Sequence, residues 1–145
     1  MTAPADARNT VLHLVAAMHR GDADAYFDGL APDVTFVLGR EASPLHSRDE
    51  CRAAFDRRRA EGLRVEACRS WELEVRMAAD GTAVATHVLS FHVSGLTAPV
   101  RRRETLVLRR DADERWRVVH AHRSPHPYEW AGGTHYAGAG AGGGF

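Results

Sequence analysis

The chain has 145 residues, 44% hydrophobic and 26% charged, with 19 basic side chains balanced by 19 acidic ones. That length suits one domain able to bury roughly two-thirds of its unfolded surface. Zero net charge gives no electrostatic reason to expect nucleic acid or a membrane as partner. Every basic residue is arginine, and lysine, isoleucine and glutamine are absent, a codon bias of GC-rich genomes that also removes any Schiff-base lysine. Met1–Asp6 lacks the basic start and apolar centre of a signal peptide, and Cys51 and Cys68 are too few for a disulfide framework, so a reduced cytoplasm is expected.

Val11, Leu14, Val15 and Met18 recur at helical spacing, which predicts an amphipathic helix over about Pro4 to Arg20 that ends at Gly21. Asp22 caps a short second helix carrying Tyr26, Phe27 and Leu30, and Pro32 ends it. Val34 to Leu38 reads as a short strand, and Gly39 to His46 as a loop. Ser47-Arg48-Asp49-Glu50 has the spacing of a capping box and opens a third helix, which packs Cys51, Ala54 and Phe55 inward and stops at Gly62.

From Leu63 onward the chain reads as strand. Leu63, Val65, Ala67, Trp71, Leu73, Val75 and Met77 share one parity, which predicts a long half-buried strand with Arg69 as a misfit on its apolar face. Asp80-Gly81 marks a hairpin turn. Strands follow over Thr82 to Ser94, Val100 to Arg110 and about Trp116 to Ser124. Such lengths exceed the usual five or six residues and imply strong twist and a curved sheet. Alternation places Trp116, Val118, His120, His122 and Ser124 on one face of the last strand, and Arg117, Val119, Ala121 and Arg123 on the other. The first face runs from apolar to polar, as the floor of a ligand pocket does. Residues 1–130 are expected as one domain and residues 131–145 as a flexible glycine-rich tail.

The element order over residues 5–124 resembles the NTF2-like superfamily, with its SnoaL-like and ketosteroid-isomerase-like branches. Glu104-Thr105-x-Val107-x-x-Arg110-Asp111 and Trp116-x-x-Val119-His120-x-His122-x-Ser124 are similar to the association domain of calmodulin-dependent protein kinase II. Leu30-Ala31-Pro32-Asp33-Val34-Thr35-Phe36 and the Ser47 helix start look SnoaL-like. The resemblance implies an α+β, cone-shaped fold: three N-terminal helices packed on a strongly curved, mostly antiparallel sheet. It further implies a metal-free pocket with buried arginines. It does not imply one activity, because the superfamily includes enzymes, binding modules and oligomerisation hubs.

Two imidazoles about 7 Å apart on one strand face suit general acid–base catalysis near neutral pH. His122, helped by His120 or His87, is the candidate proton shuttle, and Arg103 the candidate stabiliser of developing negative charge. Tyr26, Phe36, Arg69, Trp71, Phe91, Thr105, Trp116 and Ser124 are the candidate substrate-binding residues. His87 or His92 could complete a three-histidine metal set with His120 and His122, but metal-binding spacings are missing, and no metal or cofactor is expected. Aligned with the ketosteroid-isomerase pattern, Leu38 occupies the place of the catalytic carboxylate, which argues against dienol isomerisation. The expected function is therefore cofactor-independent cyclase, isomerase or lyase chemistry on a small apolar molecule with a carbonyl or anionic group, possible in secondary metabolism. The alternative is a non-catalytic binding or oligomerisation module. Leu106, Leu108, Val119 and Ala121, rimmed by Arg102, Glu104 and Arg117, are the expected interface of a homodimer or larger homo-oligomer.

Overall fold

In a computed structural model, residues 2–39 and 41–126 are described. The expected tail over 131–145 lies outside them. The element order is α1 (Ala3–His19), α2 (Ala23–Asp28), β1 (Leu30–Val37), α3 (Arg48–Ala60), β2 (Val65–Ala79), β3 (Thr82–Val93), β4 (Val100–Arg110) and β5 (Trp116–Pro125). The helix starts follow from local chemistry. The Ser47 hydroxyl accepts from the Glu50 amide at 3.0 Å, and the Glu50 carboxylate accepts from the His46 amide at 2.6 Å, which satisfies amides that α3 leaves unpaired. Asp22 caps α2 in the same way, at 3.1 Å from the Ala25 amide. Leu30, expected at the end of the second helix, instead opens β1.

The five strands form one sheet in the order β1-β5-β4-β3-β2. β1 runs parallel to β5, and the other three pairings are antiparallel. The helices cover one face. Val11 and Leu14 of α1, Phe27 of α2 and Cys51 of α3 join Leu106, Leu108, Trp116, Val118 and Ala121 of the sheet in the main core, and Cys68, Leu89, Phe91, Val93 and Val100 form a second cluster. Among the described residues, no helix is long and apolar enough to cross a membrane.

Three irregularities set which side chains face the helices. The β2–β3 register shifts between Val65 and Ala67 and again between Trp71 and Glu74, where Glu72 adopts a φ of 55°. Each bulge inserts one residue and reverses the alternation. Cys68 and Ser70 therefore face the helices before the second bulge, and Leu73, Val75 and Met77 after it. Arg69 is consequently no misfit: it and Trp71 (54% exposed) lie on the opposite face. The β4–β5 register also shifts, with Val107 level with His120 but Leu108 level with Val118. The extra residue, Val119, divides β5 into an inward pair, Trp116 and Val118, and a second inward pair, Ala121 and Arg123.

Candidate active site

The β5 bulge reverses the expected orientation of the histidine pair. His122 is exposed, and His120 is half-buried with its Nδ1 at 2.7 Å from the Thr35 hydroxyl of the neighbouring β1. Both occupy the face away from the helices, with Ser124. On β4 the parity is the opposite of the one expected. Val100, Arg102, Glu104, Leu106 and Leu108 are buried, while Arg103 and Thr105 are exposed. Three consecutive apolar residues, Leu106-Val107-Leu108, fit either phase, and the two leucines bury more apolar area than the single valine. The surface expected to pair two copies is corrected by the same observation, because Leu106, Leu108 and Ala121 belong to the main core and Arg102 and Glu104 are buried.

What faces the helices instead is a continuous polar chain that crosses the sheet. The Ser70 hydroxyl lies 2.7 Å from His87 Nδ1, and His87 Nε2 lies 2.8 Å from Glu104 Oε1. Glu104 Oε2 accepts a short hydrogen bond from Arg123 Nε. Arg123 Nη2 donates to the Tyr26 phenol oxygen at 3.0 Å. The ionised Glu104 can only accept, so Nε2 of His87 donates in that bond. Phe36 and Phe91 hold the guanidinium from the sides, each with its ring centre 5.5 Å from the Arg123 central carbon.

The electrostatics follow from burial and pairing. Burial alone would raise the Glu104 carboxyl, but the Arg123 charge and the His87 hydrogen bond outweigh it and hold it below the usual carboxylate range. Burial alone would likewise lower Arg123, and Glu104 and Tyr26 reverse that, so the guanidinium stays charged. Burial pushes the Tyr26 phenol up to about 12. Tyr26 is therefore neutral at physiological pH. Its oxygen accepts from Arg123, and its own O–H is left to donate.

Tyr26 and Arg123 line a cavity of about 200 Å³. Its walls are apolar, from Met18, Phe27, Phe36, Leu38 and Phe55 among others, and at its solvent end lie Asp22, Arg59 and Arg64. Arg58 also lines it and is buried against Glu41, with 2.6 Å between Nη2 and Oε1. Cys51 lines it as a neutral thiol, pushed up to about 11 by burial and then by Glu50. Of the residues expected to form the site, Tyr26 and Phe36 line this cavity, Phe91 and His87 stand behind its polar end, and Trp116 is packed in the main core. Arg69, Trp71, Arg103, Thr105, His120, His122 and Ser124 lie on the opposite face. His87 is thus separated by the sheet from His120 and His122. His92, exposed on that opposite face, sits further along β3 than Thr86, the residue whose partner Thr105 is level with His122, so no three-histidine set assembles. Glu104 and Arg123, the centre of the network, were not candidates from the sequence. The signal for them is an acid and a base at the same inward parity as Leu106 and Ala121, visible once β5 is allowed a bulge.

Raising the pH tests this arrangement. Tyr26 is expected to ionise only near 12, about two units above an exposed phenol. Because its folded pKa lies above the unfolded one, its contribution to stability is complete below about 10 and is lost as pH rises towards 12. Ultraviolet titration of the wild type and of Tyr26→Phe isolates this phenol from the other two tyrosines of the chain. A difference curve centred at 10 would contradict the buried contact with Arg123.

Residues 7–129 match the family model described as a SnoaL-like domain. This chain belongs to the SnoaL-like domain family. No curated protein matches it. Among solved structures, the chain is similar to the CaMKII hub of S. rosetta, at 25% identity over 87% of this chain and 98% of that one, with a TM-score of 0.70. It is similar to a ketosteroid isomerase-like protein from Erwinia carotovora atroseptica at 16% identity, covering 84% and 95% of the two chains with a TM-score of 0.74. It is also similar to an NTF2-like protein from Cytophaga hutchinsonii at 15% identity, covering 87% and 100% with a TM-score of 0.72. The fold is thus the α+β NTF2-like fold, and these structural neighbours include both an isomerase-like protein and a hub.

Proposed function

We propose that this SnoaL-like protein is a cofactor-independent enzyme of the cyclase, isomerase or lyase type that acts on a small, largely apolar carbonyl compound. One observation carries the reading: the neutral phenol of Tyr26 and the charged guanidinium of Arg123, bonded to each other, both belong to the lining of a cavity whose walls are largely apolar. Two donors fixed in a water-poor site stabilise negative charge that develops on a carbonyl oxygen, and they need no reorganisation to do so. Glu104 and His87 hold Arg123 in place. They act through it, as positioning residues. Tyr26 in this reading donates to the developing enolate oxygen, while the carbon-bound proton leaves to solvent water, which returns a hydrogen to the carbon.

Exchange of the hydrogens next to the carbonyl of a bound ketone, followed in deuterated water, tests the chemistry. Wild-type protein accelerates the exchange, and Tyr26→Phe reduces the acceleration roughly 100-fold, the usual loss for one oxyanion donor. Binding without acceleration would reduce the protein to a ligand-binding module.

A second reading, assembly, rests on Trp71. This indole is 54% exposed on the sheet face that no described helix covers, in one register row with Val88, Arg103 and Ser124. A large exposed aromatic beside arginine is the composition of an interface centre, and the similarity to a CaMKII hub favours a second copy of this chain as the partner. Light scattering on size exclusion is expected to give a homo-oligomer for wild type and a smaller species for Trp71→Glu. A wild-type monomer would remove this reading.

A further inference from the structure

The two ends of the cavity differ in charge, and the difference selects a class of ligand. At the buried end, the Arg123 cation is already neutralised by Glu104, and Tyr26 is an uncharged phenol. Its one guanidinium is already paired with a carboxylate, so an anion moved there would lose its hydration and compete with Glu104 for Arg123. At the solvent end the balance is reversed. Arg58 is matched by Glu41, and Asp22 lies 3.4 Å from Arg20. Arg59 and Arg64 both line the cavity and are exposed, and neither forms an ion pair with a described residue. Arg59 is held by the Phe55 ring, 5.6 Å from its central carbon, which fixes its guanidinium over the apolar wall. Arg64 is fixed through its backbone, whose amide donates to the Ser94 hydroxyl at 3.0 Å.

Resting on the carbonyl-binding reading above, we infer that the ligand is an oxo acid: an apolar chain with a neutral carbonyl at the buried end and an anionic group at the solvent end, between Arg59 and Arg64. Two surface guanidiniums facing one anion also steer it to the opening, so this contribution weakens with salt while the buried one does not.

Three matched probes separate the parts by calorimetry: 7-oxooctanoate, 2-octanone (the carbonyl alone) and octanoate (the anion alone). The oxo acid is expected to bind about tenfold or more tighter than either partial probe, as each end adds on the order of a tenfold factor. The readout is the affinity ratio of oxo acid to ketone in each protein. In Arg59→Gln/Arg64→Gln the ratio falls to about one, and raising salt lowers it in the wild type alone. In Tyr26→Phe the ratio of oxo acid to octanoate falls instead. An oxo acid no tighter than the ketone, or a ratio that survives the double substitution, overturns the inference and leaves the carbonyl reading standing. An oxo acid no tighter than octanoate refutes the buried carbonyl contact. Failure of all three to bind refutes both readings.

Discussion

Glu104→Gln is expected to destabilise the protein by about 3–5 kcal/mol, the loss typical of removing one partner from a buried ion pair. For a chain of this size that corresponds to a fall in Tm on the order of 10 °C. The amide keeps the shape of the carboxylate but leaves the Arg123 guanidinium buried 6% exposed with no counter-ion. The loss comes from that stranded charge and not from the missing contact. Glu104→Gln/Arg123→Met is therefore expected to recover most of it, since the double substitution removes both buried charges. Denaturant unfolding of the two single variants and the double completes the cycle. A Glu104→Gln loss below about 1 kcal/mol would mean that water reaches the pair and that the cavity floor is not dry. The pH dependence has a defined sign. The folded pKa of Glu104 lies below the unfolded one, so its contribution is full above the ordinary carboxylate range and is lost as pH falls through the depressed value. Wild-type stability should thus decline on the acid side more steeply than that of the double variant.

Phe91→Ala is expected to cost about 3–5 kcal/mol in the same assay, the range for truncating a buried aromatic. Phe91 is 0% exposed at the centre of the cluster with Cys68, Leu89, Val93 and Val100. It also supports Arg123 from one side, so its removal should loosen the donor that faces the cavity and weaken 2-octanone binding. Leu89→Ala provides the comparison. It truncates the same cluster at a similar cost of about 2–5 kcal/mol but leaves both aromatic rings beside Arg123 in place. Equal loss of ketone affinity in both variants would show that global softening, not support of the guanidinium, governs the site.

These two residues also mark how far the sequence could be read. Phe91 was legible as a wall residue because β3 alternates without interruption, from Ala83 through His87 to Val93. Capping chemistry placed the helix starts, since Ser47, Glu50 and Asp22 act through bonds to neighbours three or four residues away. Such interactions are local and need no knowledge of the partner elements. The bulges at Glu66, Glu72 and Val119 are different. An inserted residue is a relation between two strands, and nothing within β2 or β5 marks Glu66, Glu72 or Val119 as the extra one. One unanticipated insertion turned the histidine pair outward and Arg123 inward.

By itself, the sequence determined the order of the elements, the helix starts and the membership of an α+β SnoaL-like family, because periodicity and capping are written in residues close together along the chain. Only the tertiary structure decided which face of β4 and β5 meets the helices. That choice depends on how Leu106, Leu108, Ala121 and Val118 pack against α1 and β1, and on whether Glu104 and Arg123 can bury each other's charge. A strand with apolar residues at both parities can satisfy either orientation alone; burial of a matched ion pair between two strands leaves just one.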